Sequence, residues 1–164
     1  LTDNTDKLFD LDFLGSVTAS CIRCKARIAE GDERDLNGLR KTLNLGHTTG
    51  HALELFYGRK SHGEFVLIGA YYEMFIAKAS GVGGGTYFDN LASLIKCVIR
   101  KIPAYENIEE AARLAVYDKK NVASGSISLI VPKREGECEE LVLGTEEYVR
   151  LICACRDSLK DVNL

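Results

Sequence analysis

The sequence contains no tryptophan, one methionine and only two prolines in 164 residues. The two prolines, Pro103 and Pro132, leave long stretches open to uninterrupted helix. No apolar run approaches the roughly 20 residues needed to span a bilayer, so no membrane partner is expected. The polar, acidic opening Leu1-Thr-Asp-Asn-Thr-Asp is no signal peptide. A basic excess is missing as well: 21 Lys and Arg stand against 24 Asp and Glu, which argues against nucleic acid as a partner. What is present is 46% hydrophobic and 27% charged residues, the composition of a globular domain. A chain of this length buries about two-thirds of its unfolded surface and needs no staples to hold a core. Leu1 is not an initiating methionine, so the chain reads as a piece of something longer.

Six cysteines occur, at 21, 24, 97, 138, 153 and 155. The C-x-x-C at Cys21/Cys24 and the C-x-C at Cys153/Cys155 together could compose a zinc site. The stronger reading is structural. Val17, Cys21, Cys24 and Ile28 share one stripe of a helix, where cysteine serves as a small hydrophobe. Reduced thiols then suit a cytoplasmic protein.

Ser16 can cap a first helix running to about Ala29, with Gly31 as its stop. A second is expected from about Leu39 to Tyr57, ended by Gly58. A third runs from about His62 to Ser80, with Phe65, Ile68, Tyr72, Phe75 and Ile76 on its apolar side and Gly81 after it. The loop Gly81-Val-Gly-Gly-Gly85 follows a helix and not a strand, which is the wrong context for cradling phosphate. Phe88, Leu91, Leu94, Ile95, Val98 and Ile102 recur at helical spacing up to Pro103. Asn107 can cap another helix, with Glu109 and Glu110 in its first turn. Ile127–Val131 and Leu141–Leu143 flank the polar stretch Pro132 to Glu140 as a short hairpin. Thr145 can cap a last helix. The expected fold is mainly α: a single multi-helical domain over residues 1–164 with one short β-hairpin.

The chemistry concentrates between Arg40 and Glu54. On one helix, Arg40, Asn44, His47, His51 and Glu54 share an arc of roughly 80°. Gly46 and Gly50 lie beside the histidines, each costing about 1 kcal/mol in a helix. Their presence suggests that something approaches the backbone closely. His47 and His51 stand at i, i+4, and a helical hairpin returns the third histidine, His62, toward them. Neutral imidazoles with a carboxylate suit Zn²⁺, and an open coordination position would make the site catalytic. Lys25, Arg40 and the pair Lys119/Lys120 supply positive charge for an anionic substrate.

These pieces form a recognisable set. Lys25 is followed by Asp32-Glu-Arg34, Gly38-Leu-Arg40, Leu43-Asn-Leu-Gly-His-Thr-Thr-Gly-His-Ala-Leu-Glu54, His62-Gly-Glu-Phe-Val-Leu-Ile-Gly69 and Asp118-Lys-Lys120. In order and spacing this resembles the signature of the 3-dehydroquinate synthases, in the sugar-phosphate cyclase superfamily, over about Ser16 to Gly144. The resemblance implies a dehydroquinate synthase-like C-terminal domain. It implies conversion of 3-deoxy-D-arabino-heptulosonate 7-phosphate to 3-dehydroquinate and phosphate, in the shikimate pathway of aromatic amino acid biosynthesis. It also implies transient use of NAD⁺ and a divalent metal, Zn²⁺ or another such as Co²⁺. By the same resemblance His47 and His62 are the metal ligands, and Lys25, Arg40, Asn44, His51 and one of Lys119 and Lys120 bind substrate.

The family's N-terminal NAD⁺-binding α/β domain and its third ligand, a glutamate in an Ala-Glu-x-x-Lys motif, have no counterpart in this sequence. The chain therefore resembles the C-terminal domain alone. Such a piece is expected to lack cyclase activity by itself and to bind metal weakly, while the full-length enzyme leaves room for a homodimer. The rival readings are another cyclase, such as a 2-deoxy-scyllo-inosose synthase, and a non-catalytic helical module that binds metal or an anion. Asn44 and the Asp-Lys-Lys block favour the dehydroquinate branch.

Overall fold

A computed structural model describes residues 2–33, 38–117 and 125–161. Its helices are α1 (Leu11–Gly31), α2 (His47–Tyr57), α3 (His62–Ala79), α4 (Thr86–Ile99), α5 (Ile108–Arg113) and α6 (Thr145–Asp161). Strands β1 (Ser126–Arg134) and β2 (Glu137–Gly144) pair antiparallel between α5 and α6. Short 3-10 segments cover Thr2–Lys7, Leu39–Asn44 and Leu114–Tyr117. The mainly helical fold with one hairpin is the one expected. Among the described residues, no helix is long and apolar enough to cross a membrane.

The core is built around α3, whose Phe65, Ile68, Tyr72 and Ile76 are fully buried. It packs against α2, α4, α6 and β1. Strand β1 turns Ile127, Leu129 and Val131 inward on the two-residue period of a strand. Ile95 of α4, Ile108 and Ala111 of α5, and Tyr148, Ile152 and Cys155 of α6 complete the interior. Each large side chain among these contributes about 1.5–3 kcal/mol on burial. Desolvation pushes the Cys155 thiol well above the ordinary range, so it is held as a neutral, unreactive group.

Several local expectations are corrected. α1 begins at Leu11 and not after Ser16, because Asp10 accepts from the Phe13 N–H at 2.7 Å and caps it earlier. The Ser16 hydroxyl donates to the Phe13 carbonyl inside the helix instead. α1 buries none of its residues, and Cys21 and Cys24 are exposed, so they do not act as core hydrophobes. All six cysteines carry free thiols. Helix α4 stops at Ile99, where Arg100 takes φ 64°, and Ile102 is buried beyond it. Asn107 makes no side-chain cap to α5. The Thr145 hydroxyl is buried with no hydrogen bond among the described residues. The hairpin is longer than expected. Residues 132–140 are mostly strand around a Glu135-Gly136 turn, stitched by ion pairs from Lys133 to Glu137 and Glu139 and from Arg134 to Glu137.

Candidate metal and substrate site

The expected continuous helix from Leu39 to Tyr57 is two elements. A 3-10 segment, Leu39–Asn44, ends at Leu45, and α2 starts afresh at His47 after Gly46 takes φ 75°. The break has a tertiary cause. A Cβ on Gly46 would overlap the Val66 carbonyl and stand 2.7 Å from the Ala70 nitrogen, so α3 lies directly against this backbone. A Cβ on Gly69 would in turn overlap the Gly46 carbonyl and stand 2.5 Å from the Gly50 nitrogen. The body that approaches the glycines is therefore α3 and not a ligand. Arg40 and Asn44 leave the stripe of α2, while His47, His51 and Glu54 remain on one face of it.

The four-residue link from Gly58 to Ser61 folds α3 back antiparallel to α2. Ser61 starts α3 with a capping box: its hydroxyl accepts from the Glu64 N–H, and Glu64 accepts from the Ser61 N–H. The Ser61 N–H and the Ser61 hydroxyl, each donating to the Glu64 carboxyl at 3.0 Å, hold that carboxyl below the usual carboxylate range. His62 is then the first residue of α3, as His47 is the first of α2.

The three imidazoles come together. Ring centroids lie 5.4 Å apart for His47 and His51 and 5.5 Å apart for both other pairs. His51 and His62 are exposed and His47 is half-buried, so the cluster opens to solvent. The His47 Nδ1–H donates to the Leu45 carbonyl at 3.0 Å, and the His62 Nδ1–H donates to the Glu54 carboxylate at 2.8 Å. Both acceptors lack a proton to give, so in the neutral ring each bond places the lone pair on Nε2. A carbonyl or carboxylate behind Nδ1 is the usual support of a metal-binding imidazole. Among the described residues, no group of three or more His, Cys, Asp and Glu side chains stands in metal-holding geometry. The donors of His47 and His62 therefore fit a zinc-class ion as part of a site that needs further donors.

Arg40 is exposed on the 3-10 segment and donates from Nη1 to the Glu33 carbonyl at 3.3 Å. The Arg40 N–H reaches the buried Asp32 carboxylate at 3.4 Å. Asn44, half-buried, closes that segment three residues before His47. Lys41 next to Arg40 pairs with Glu140 of β2 at 2.7 Å and ties the segment to the hairpin. Lys25 is exposed on α1. Lys119 and Lys120 lie outside the described residues. Two residues of the cluster's framework escape a reading by motif alone: Glu54 as the partner of His62, and the buried Glu73, discussed below. The signal for Glu73 was a lone carboxylate inside the apolar run Tyr71-Tyr72-Glu73-Met74-Phe75.

Fold and cluster together define a helical domain that presents histidines at the seam of two antiparallel helices. The 3-dehydroquinate synthase C-terminal family matches residues 1–121. The chain is 39% identical over 139 residues to a 3-dehydroquinate synthase of Alkaliphilus metalliredigens, covering 80% of this chain and 37% of that protein. It is 33% identical over 155 residues to one of Aliivibrio fischeri, covering 91% and 42%. With one of Colwellia psychrerythraea it shares 35% identity over 145 residues, covering 85% and 40%. The chain belongs to the 3-dehydroquinate synthase family by its C-terminal domain. It spans about two-fifths of the length of these relatives.

Proposed function

We propose that this chain supplies the metal- and substrate-binding half of a 3-dehydroquinate synthase, acting on 3-deoxy-D-arabino-heptulosonate 7-phosphate. The observation that carries the reading is the His47/His51/His62 cluster, with Nδ1 of His47 and His62 engaged from behind. His47 and His62 hold Zn²⁺ or Co²⁺, which when bound acts as a Lewis acid on the substrate's hydroxyls. NAD⁺ is bound mainly outside this chain, and hydride exchange is its chemistry. This chain's own residues bind and orient the sugar. Arg40, Lys25 and one of Lys119 and Lys120 balance the substrate's carboxylate and phosphate charges. Asn44 and His51 hydrogen-bond its hydroxyls and hold it over the two helix ends. The name carried by the relatives above favours this substrate over that of a 2-deoxy-scyllo-inosose synthase.

Titration calorimetry with Zn²⁺ on the 164-residue chain and its His47→Ala and His62→Ala variants tests the metal assignment. The parent should bind weakly, each variant more weakly still, and binding should fade as pH falls through the ordinary histidine range near 6.5. Variants that bind Zn²⁺ as the parent does would move the ligands elsewhere.

A further inference from the structure

Glu73 is a fully buried carboxylate on α3, flanked in sequence by the buried Tyr72 and Met74. An ionised carboxylate is tolerated there only with strong hydrogen-bond partners. Two backbone amides at the start of α2 are among its partners. The Gly46 N–H donates to one oxygen at 2.7 Å and the Thr49 N–H to the other at 2.9 Å. These groups are among the donors that a helix start leaves unsatisfied and that a Ser, Thr or Asp cap ordinarily binds. Gly46, the residue at the cap position, has no side chain to do so. The cap comes instead from the neighbouring helix, and the two amides it holds bracket His47.

We propose that Glu73 is a positioning residue for the candidate metal site: it fixes the first turn of α2, and with it the ring of His47, against the helix that carries His62. The purpose assigned to it rests on the metal reading above, while the geometry rests on the two hydrogen bonds alone. The same turn is anchored at two further points. The Thr48 hydroxyl donates to the Ser128 carbonyl of β1 at 3.1 Å, and the Thr49 hydroxyl meets the Tyr148 hydroxyl of α6 at 3.1 Å. Those anchors hold α2 to the core. Glu73 alone of the three joins the two histidine-bearing helices to each other.

The test uses the 164-residue chain as parent, Glu73→Gln and Tyr148→Phe. A glutamine is isosteric but offers one acceptor oxygen, so one of the two amides loses its partner. Two measurements are made: nuclear Overhauser contacts between the His47 and His62 ring protons without metal, and the Kd and d–d spectrum on titration with Co²⁺. In Glu73→Gln the ring contacts should weaken, the Co²⁺ Kd should rise roughly 10- to 100-fold and the d–d bands should change. Tyr148→Phe should lose stability yet keep both signals. Should Glu73→Gln fail to fold, Glu73→Asp keeps the charge with a shorter reach and should weaken the ring contacts in the same sense. Unchanged ring contacts in whichever Glu73 variant folds would overturn the proposal, as would equal effects from Tyr148→Phe. A parent that binds no Co²⁺ would sink the metal reading, and the ring contacts would still decide the role of Glu73.

Discussion

Gly69→Ala is the sharpest probe of how the histidine-bearing helices are held. In an open helix the substitution is favourable by about 1 kcal/mol, because alanine loses less backbone entropy. At Gly69 the new Cβ would stand 2.5 Å from the Gly50 nitrogen, nearer still to the Gly46 carbonyl, and 2.9 Å from the Gly50 Cα. All three obstacles are backbone, so no side chain can swing aside and α2 must shift as a body. Overpacking of this kind costs about 1–3 kcal/mol, and more where backbone has to move. Taking about 3 kcal/mol for the clash and subtracting the propensity gain leaves a net loss near 2 kcal/mol. For a chain of this size that lowers Tm by about 4–8 °C. Urea unfolding followed by circular dichroism measures it as a lower midpoint at unchanged slope. Gly63→Ala, on the same helix with nothing within 4 Å of its Cβ, is the control and should be neutral or stabilising. A Gly69→Ala chain as stable as Gly63→Ala would refute the close seam between α2 and α3.

Ser61→Ala removes the capping box of α3 and should cost about 1 kcal/mol in urea unfolding. It should also let the Glu64 carboxyl rise toward its ordinary value, read by side-chain NMR. Alkaline titration should unfold the chain between about pH 10 and 12. Burial raises Tyr105 to about 12, and raises Tyr72 and Tyr148 as well, from the ordinary 10. Their folded-state values lie above the unfolded one, so the stabilisation is complete below pH 10 and is lost as pH rises beyond it. The tyrosinate absorbance of these three, assigned with their Tyr→Phe variants, should therefore appear together with the loss of circular dichroism, and their ionisation near pH 10 with the helices intact would contradict it. Glu54→Gln should weaken Zn²⁺ binding roughly 10- to 100-fold by removing the carboxylate behind His62 Nδ1. Calorimetry showing an unchanged affinity would detach His62 from the metal.

What was legible in the sequence was local. The limits of α3 follow from Ser61 and Glu64 at one end and Gly81 at the other, both short-range signals. The i, i+4 histidines and Glu54 shared a face because α2 forms by its own pattern. The break at Gly46 was not legible, since its cause is the backbone of Val66 and Ala70, some twenty residues on. Two glycines near a polar stripe announce a close approach without saying what approaches. The start of α1 was misplaced because Asp10 and Ser16 are both good caps, and propensity does not choose between them. The stripe of Val17, Cys21, Cys24 and Ile28 marks an apolar face, but periodicity does not reveal whether the chain itself covers it. Glu73 required the pairing of α2 with α3, because its donors are main-chain groups that no side-chain motif records.

The pairing also bears on where positive charge would come from if the proposed anionic substrate binds here. Helix starts are natural anion sites, and α2 and α3 both begin at the histidine cluster. Both starts are already occupied by the protein's own groups: Glu73 takes the Gly46 and Thr49 amides, and the Ser61–Glu64 box takes the Ser61 and Glu64 amides. From His47 to Ala79 the side chains balance as well, with Glu54, Glu64 and Glu73 against Arg59, Lys60 and Lys78. The helix pair therefore offers imidazoles and geometry but no net charge. On the proposed function, a phosphate and a carboxylate must be met by cations that reach in from outside it; the 3-10 segment that leads into α2 carries two, Arg40 and the Lys41 that pairs with Glu140. On that proposal the division suits the chemistry: the imidazoles would be left for a metal, and fixed charges on separate elements would neutralise the substrate without competing for the metal's ligands.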